Sequence, residues 1–115
     1  MIRIQQYYER MHSQITTGNG VFYRHYGDVK YYADLAQNIC RLNSLLKNLQ
    51  VARIAVFAGK GFENYCCIFA TLLSGNIWIP MSPRMPDSRN ADMLRIAEPN
   101  LILTDRALPK LMQAA

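Results

Sequence analysis

Apolar residues recur along this chain in two alternating rhythms. Ile4, Tyr7, Tyr8, Met11 and Ile15 follow one another at intervals of three and four or as neighbours, which predicts a helix with one apolar stripe over residues 2–16. Thr16-Thr17-Gly18-Asn19-Gly20 breaks it. The polar face lacks the lysine-rich band of a membrane-surface helix, so the stripe is expected to pack on the domain. Val21 to Tyr26 and Val29 to Tyr32 are aromatic and β-branched and flank Gly27-Asp28. Glycine at the first central position predicts a type II′ hairpin. The aromatic density would suit a base-stacking platform, but cross-strand packing accounts for it without a ligand.

From Ala33 the period lengthens again. Leu35, Ile39, Leu42, Leu46 and Leu49 define a core-facing helix of about four turns, with Cys40 beside the stripe as a small buried side chain. Arg53 to Ala58 is short and almost wholly apolar, as a strand buried on both faces should be. Phe62 to Ser74 is apolar nearly all round and predicts a buried helix that holds Cys67 in the core.

The stretch Leu72 to Pro83 organises the rest: a helix end, a stop at Gly75, a strand at Ile77-Trp78-Ile79, and an exit kept extended by Pro80, Pro83 and Pro86. Asp87 or Ser88 is placed to cap a further helix, with Met93, Leu94, Ile96 and Ala97 facing inward. Glu98-Pro99-Asn100 ends it, Leu101 to Thr104 is a third buried strand, and Asp105 opens a short helical tail. Strands alternating with crossover helices predict an α/β fold: a small three-layer domain, its short parallel sheet flanked by helices and preceded by a β-hairpin. The expected organisation is one domain over residues 1–115, with an N-terminal helix (1–17), a main unit (20–105) and a tail (106–115).

Composition narrows the class. Of 115 residues, 50% are hydrophobic and 18% charged, which excludes a disordered chain. No apolar run reaches the roughly 18 residues of a bilayer span, and residues 1–6 lack a leader's apolar core, so the expected location is cytoplasmic with no membrane partner. The net charge of +5 comes from thirteen cations spread without adjacent pairs, which argues against nucleic acid. Cys40, Cys66 and Cys67 are odd in number and lack C-x-x-C spacing, and His12 and His25 stand apart from them. Neither a disulfide framework nor a metal site is expected.

Candidate chemistry is confined to Gly59-Lys60-Gly61, at the carboxyl end of the Arg53–Ala58 strand and the start of a helix. Backbone amides there favour an anion, and glycines permit close approach. The run completes neither G-x-x-x-x-G-K-[ST] nor G-x-G-x-x-G, so the signal is weak and a plain turn is the preferred explanation. No catalytic constellation is visible.

Two further stretches carry a resemblance. Lys30-Tyr31-Tyr32-Ala33-Asp34-Leu35 is similar to the first motif of adenylate-forming enzymes (leucine, Thr/Ser, Tyr, any residue, Glu, Leu), matching at Tyr32 and Leu35 and conservatively at Asp34. Tyr31 stands where that motif has its helix-capping hydroxyl residue. Leu73 to Pro83 resembles the second motif, K-A-G-x-x-Y-x-P-L-D-P, through Gly75, Trp78, Pro80 and Pro83, with Leu73 for the lysine and Ser82 for the acid. Pro86 to Arg89 and Leu103-Thr104-Asp105 look like the P-x-x-R and L-T-D elements that follow. The resemblance is to the N-terminal portion of the superfamily that includes acyl-CoA synthetases, nonribosomal-peptide adenylation domains and luciferases. It implies part of a ligase that activates a carboxylic acid as acyl-AMP for transfer to a thiol, with ATP and Mg²⁺ serving the complete enzyme. The phosphate loop, the ribose-binding acid and the lysine of that superfamily lie in later segments. No catalytic residue carries over, and this chain alone is expected to be inactive and to bind no cofactor. Its expected partners are the remainder of the enzyme, or a complementing subunit, with self-association through a naked sheet edge. A stand-alone binding module and a dinucleotide-type domain using Gly59-Lys60-Gly61 are the alternatives.

Overall fold

The computed structural model describes residues 4–18 and 20–115, with residues 4–8 described by their backbone course alone. The elements in order are α1 (Ile4–Thr17), β1 (Val21–His25), β2 (Asp28–Tyr31), α2 (Tyr32–Leu46), β3 (Arg53–Phe57), α3 (Phe62–Leu73), β4 (Ile77–Met81), α4 (Asp87–Ala97), β5 (Leu101–Thr104) and α5 (Lys110–Gln113). β3 lies at the centre of a parallel sheet in the order β4-β3-β5, and β1 and β2 form a separate antiparallel hairpin. The architecture is the three-layer α/β arrangement that the alternation of periods predicts.

The two faces of the sheet carry separate cores. Leu35, Ile39, Leu46, Ile54, Phe62, Cys66 and Ala70 pack α2 and α3 on one face, joined by Ile15 of α1. Ala55, Phe57, Met81, Ala91, Leu94 and Met112 fill the other, under α4 and α5. Met112, at 2% exposure, seats the C-terminal turn firmly. In α1, Met11 and Ile15 bear out the inward stripe, whereas the side chains of Ile4, Tyr7 and Tyr8 lie outside the described residues.

β3 is tied at both ends by side chains. Asn76 Oδ1 accepts the Ala52 amide at 2.8 Å, and Asn100 Oδ1 accepts the Arg53 amide at 2.9 Å. Arg53 Nε donates to the Ala97 and Glu98 carbonyls at the end of α4. An asparagine before each outer strand therefore aligns that strand with β3. Ahead of Asn76, α3 ends in a Schellman motif: Gly75 N donates to Leu72 O and Asn76 N to Thr71 O, with Gly75 at φ 79°.

Several sequence expectations are corrected. The hairpin pairs His25 with Asp28, so Tyr26 (φ 48°) and Gly27 (φ 82°) are its central residues, and the turn is type I′ rather than II′. The aromatic packing is directed into the domain rather than only across the hairpin. An irregularity between Val21 and Tyr23 aims Phe22 at α2 and α3, where its ring meets Tyr32 at 5.4 Å and Tyr65 and Phe69 at 5.8 Å. Cys40 is exposed, because Leu35, Ile39 and Leu46 already complete the buried stripe of α2. In α3 only Phe62, Cys66, Ala70 and Thr71 are buried, and Tyr65 is 39% exposed, since the outer face of the helix meets solvent.

Ile96 is 85% exposed; α4 buries Asn90, Ala91 and Leu94 instead. Neither Asp87 nor Ser88 caps α4: Pro86 takes the cap position, and Asp87 sits in the first turn. β5 is a half-exposed edge strand, not a buried one. Asp105 and Arg106 form a bend, and the closing helix begins only at Lys110. At the start of α2 half of a capping box survives the loss of the hydroxyl residue: Asp34 Oδ2 accepts the Tyr31 amide at 2.8 Å.

Candidate functional site

Three parallel strands deliver their carboxyl ends to one corner, the place where open α/β sheets bind ligands. Gly59 and Lys60 leave β3, Ser82, Pro83 and Arg84 leave β4, and Arg106 follows β5; together they line a cavity of about 260 Å³. Gly61 lies outside this lining and occupies the N-cap of α3. Of the expected Gly59-Lys60-Gly61 run, the fold thus brings the first two residues to the corner.

Asp105 organises the approach. Its Oδ2 accepts the Gly59 amide at 3.1 Å, and its Oδ1 accepts Arg106 Nε at 2.8 Å. Hydrogen bonding from Arg106, helped by the Gly59 amide, holds the Asp105 carboxyl below the usual carboxylate range. Thr104 Oγ1 accepts the Arg106 amide and donates to its carbonyl, which closes the turn after β5. A Cβ on Gly59 would approach Arg106 Nη2 to 3.0 Å, so glycine allows β3 and this ion pair to meet.

On the opposite wall, Ser82 Oγ accepts the Arg84 amide, and the wholly buried Asn90 donates to the Ser82 carbonyl at 2.9 Å. Lys60 and Arg84 are exposed and take part in none of the ion pairs among the described residues. Three cations against one committed carboxylate make the corner electropositive. Sequence reasoning missed Ser82, Arg84, Asp105 and Arg106. Their signal was positional: each lies within three residues of the end of a strand of the parallel sheet.

Cys66 and Cys67 are held as thiols rather than thiolates. Burial pushes the Cys66 thiol up to about 12, with Cys67 and Glu63 adding in the same direction. Burial, then Asp105 and Glu63, raises Cys67. Among the described residues no group of three His, Cys, Asp or Glu side chains is placed to hold a metal, and no helix is long and apolar enough to cross a membrane.

No family model matches the chain. The N-terminal subdomain of NpsA from Klebsiella oxytoca superimposes on 98% of it with a TM-score of 0.73 at 17% identity. The fold is that of an adenylation-enzyme N-terminal subdomain. The nonribosomal peptide synthetase FmoA3, in its form bound to alpha-methyl-L-serine-AMP, matches 90% of the chain with a TM-score of 0.68 and 20% identity. In sequence, the isonitrile lipopeptide synthase of Streptomyces coeruleorubidus is 34% identical over 93 residues, 78% of the chain. The chain spans 6% of that synthase, 12% of FmoA3 and 33% of the NpsA subdomain. It therefore matches only a small part of each of these larger proteins.

ATP with Mg²⁺, which this superfamily implies, does not fit the residues present. The corner is cationic, and its nearest carboxylate, Asp105, is already engaged by Arg106 and the Gly59 amide. At about 260 Å³ the cavity lies below the usual range for a whole small-molecule ligand. Its donors suit a single bare anionic group.

Proposed function

We propose that this chain serves as the N-terminal part of an adenylating ligase. In that reaction a carboxylate oxygen of the substrate attacks the α-phosphorus of ATP, pyrophosphate leaves, and the acyl-adenylate passes its acyl group to a thiol. The observation that carries the reading is the agreement of sequence and fold: 34% identity to a lipopeptide synthase over 78% of the chain, and overlay of 98% of it on an adenylation N-terminal subdomain. The chain's own share is architectural. Gly75, Pro80, Pro83 and Asp34, the residues that match the superfamily motifs, end helices, shape strands and cap α2. The electropositive corner at Gly59, Lys60, Arg84 and Arg106 adds an anion-holding role within the assembled enzyme.

The test is an immunoblot of the source cells with an antibody raised against this chain, followed by carboxylate-dependent ATP–pyrophosphate exchange on the captured protein. A band several times larger than 13.2 kDa that supports exchange is expected. A 13.2 kDa product whose captured material supports no exchange, with or without associated chains, would refute the proposal and favour a stand-alone binding module.

A further inference from the structure

We infer that Asn90 is the positioning residue of the basic corner: it fixes the turn that presents Arg84, and through that turn it sets how tightly the corner holds a single phosphate group. The inference rests on the anion-holding role proposed above. Asn90 is the fourth residue of α4 and is 0% exposed, yet its Oδ1 has no hydrogen-bond partner. An orphaned buried acceptor costs stability, and a leucine of similar size would carry none of that cost. Stability therefore does not account for an asparagine at this position. Its donor does. Nδ2 donates to the Ser82 carbonyl at 2.9 Å, with a longer reach to the Met85 carbonyl at 3.5 Å.

Those two carbonyls are the ends of one four-residue turn, Ser82-Pro83-Arg84-Met85, which the Met85 amide closes on the Ser82 carbonyl at 3.1 Å. Pro83 presets the backbone at the first central position, and Ser82 Oγ accepts the Arg84 amide at 3.2 Å. The Ser82 carbonyl thus uses both lone pairs, one for the turn and one for Asn90. Arg84 stands at the second central position of this held turn and lines the cavity of about 260 Å³ together with Lys60. Neither cation joins an ion pair among the described residues. They differ in how they are held. Lys60 sits between Gly59 and Gly61, where the backbone is least constrained, whereas Arg84 is anchored through its turn to the core. A group already in place loses less freedom on binding, so Arg84 should contribute in proportion to the rigidity of its turn. Arg106 adds less, because Asp105 already engages it through Nε and Nη2.

Inorganic phosphate titrated into the 115-residue chain, followed by the amide shifts of Lys60 and Arg84, gives the dissociation constant. Asn90→Leu should weaken binding about threefold, which is Arg84's share of a roughly tenfold loss expected for both cations together. Its melting temperature should stay within about 4 °C of the parent. The threefold loss should persist in a Lys60→Ala background and vanish in an Arg84→Ala background, a coupling that a merely structural role would not produce. Amide exchange at Arg84 should quicken in Asn90→Leu, while exchange at Gly59, whose amide is held by Asp105, stays as it was. Asn90→Ala and Ser82→Ala loosen the same turn and should weaken binding in the same direction, so the outcome does not hang on the folding of one variant. Equal phosphate affinity in the parent and Asn90→Leu would overturn the inference while leaving the corner's role intact, as would an undiminished loss in the Arg84→Ala background. A parent that binds no phosphate at about 10 mM would overturn the anion-holding role itself, and this inference with it.

Discussion

Asn76 and Asn100 perform the same task at the start of β3 in different surroundings, and the difference sets a measurable contrast. Each carboxamide oxygen accepts one backbone N–H, from Ala52 at 2.8 Å and from Arg53 at 2.9 Å. Asn76 is 4% exposed and Ala52 is 7% exposed, so in Asn76→Ala no water can replace the lost acceptor. An orphaned buried donor costs about 1–3 kcal/mol. Loss of the 2.9 Å bond from Asn76 Nδ2 to Ser74 Oγ adds about 0.5–1 kcal/mol, for a total of about 2–3 kcal/mol. Asn100 is exposed, so Asn100→Ala lets water reach the Arg53 amide and should cost about 0.5–1 kcal/mol. For a chain of this size each kcal/mol lowers the melting temperature by about 4 °C. Urea titration of both variants beside the parent, with unchanged slopes, measures the pair. Equal losses, or a larger loss at Asn100, would show that burial does not set the strength of these ties.

Further tests address the helix end, the surface, the thiols and the basic corner. Gly75→Ala meets no atom within 4 Å, so its cost is the left-handed backbone alone, about 1–2 kcal/mol by denaturation. Ile96→Lys should change stability by less than about 0.5 kcal/mol in the same assay, because the side chain is 85% exposed. Thiol labelling at pH 8 should modify the exposed Cys40 first and Cys66 slowest. The Cys66 thiol is raised in the folded state, so the stability it contributes is whole below pH 9 and drains away as pH climbs from 9 toward about 12; replacing it with Ala should flatten that alkaline slope. Lys60→Ala with Arg84→Ala should weaken inorganic phosphate binding about tenfold, measured by calorimetry, while leaving the melt unchanged.

Much of this structure was legible because period and burial agree. Leu35, Ile39 and Leu46 repeat at helical spacing and are buried as the stripe requires, and the unbroken run Ile54-Ala55-Val56-Phe57 is the central strand, covered on both faces. Misreadings arose where local pattern underdetermines geometry. Two different pairs of residues could have been central in the turn around Gly27, and Tyr26 accepts a positive φ that its type rarely adopts. Ile96 lies beside Leu94 in sequence, but a helix turns it nearly to the opposite side, and helical spacing alone does not say which of two faces meets the sheet. The basic corner was hidden for another reason. Gly59 and Asp105 are 46 residues apart, and only the parallel order of β3 and β5 brings them into contact.

The central position of β3 also sets a timetable for folding. Its ties reach forward 24 residues to Asn76 and 47 residues to Asn100, so both neighbours are made after it. At a synthesis rate of about 5–20 residues per second, β3 waits roughly 1–5 s for its first flank and roughly 2–9 s for its second. During that interval the elements already made, chiefly α2 and α3 with Ile15 of α1, can shelter the strand, and they cover one of its faces. The other face, with Ala55 and Phe57, stays bare until α4 arrives. The nascent chain is therefore most open to capture by chaperones, or by its own kind, between the emergence of residues 57 and 97.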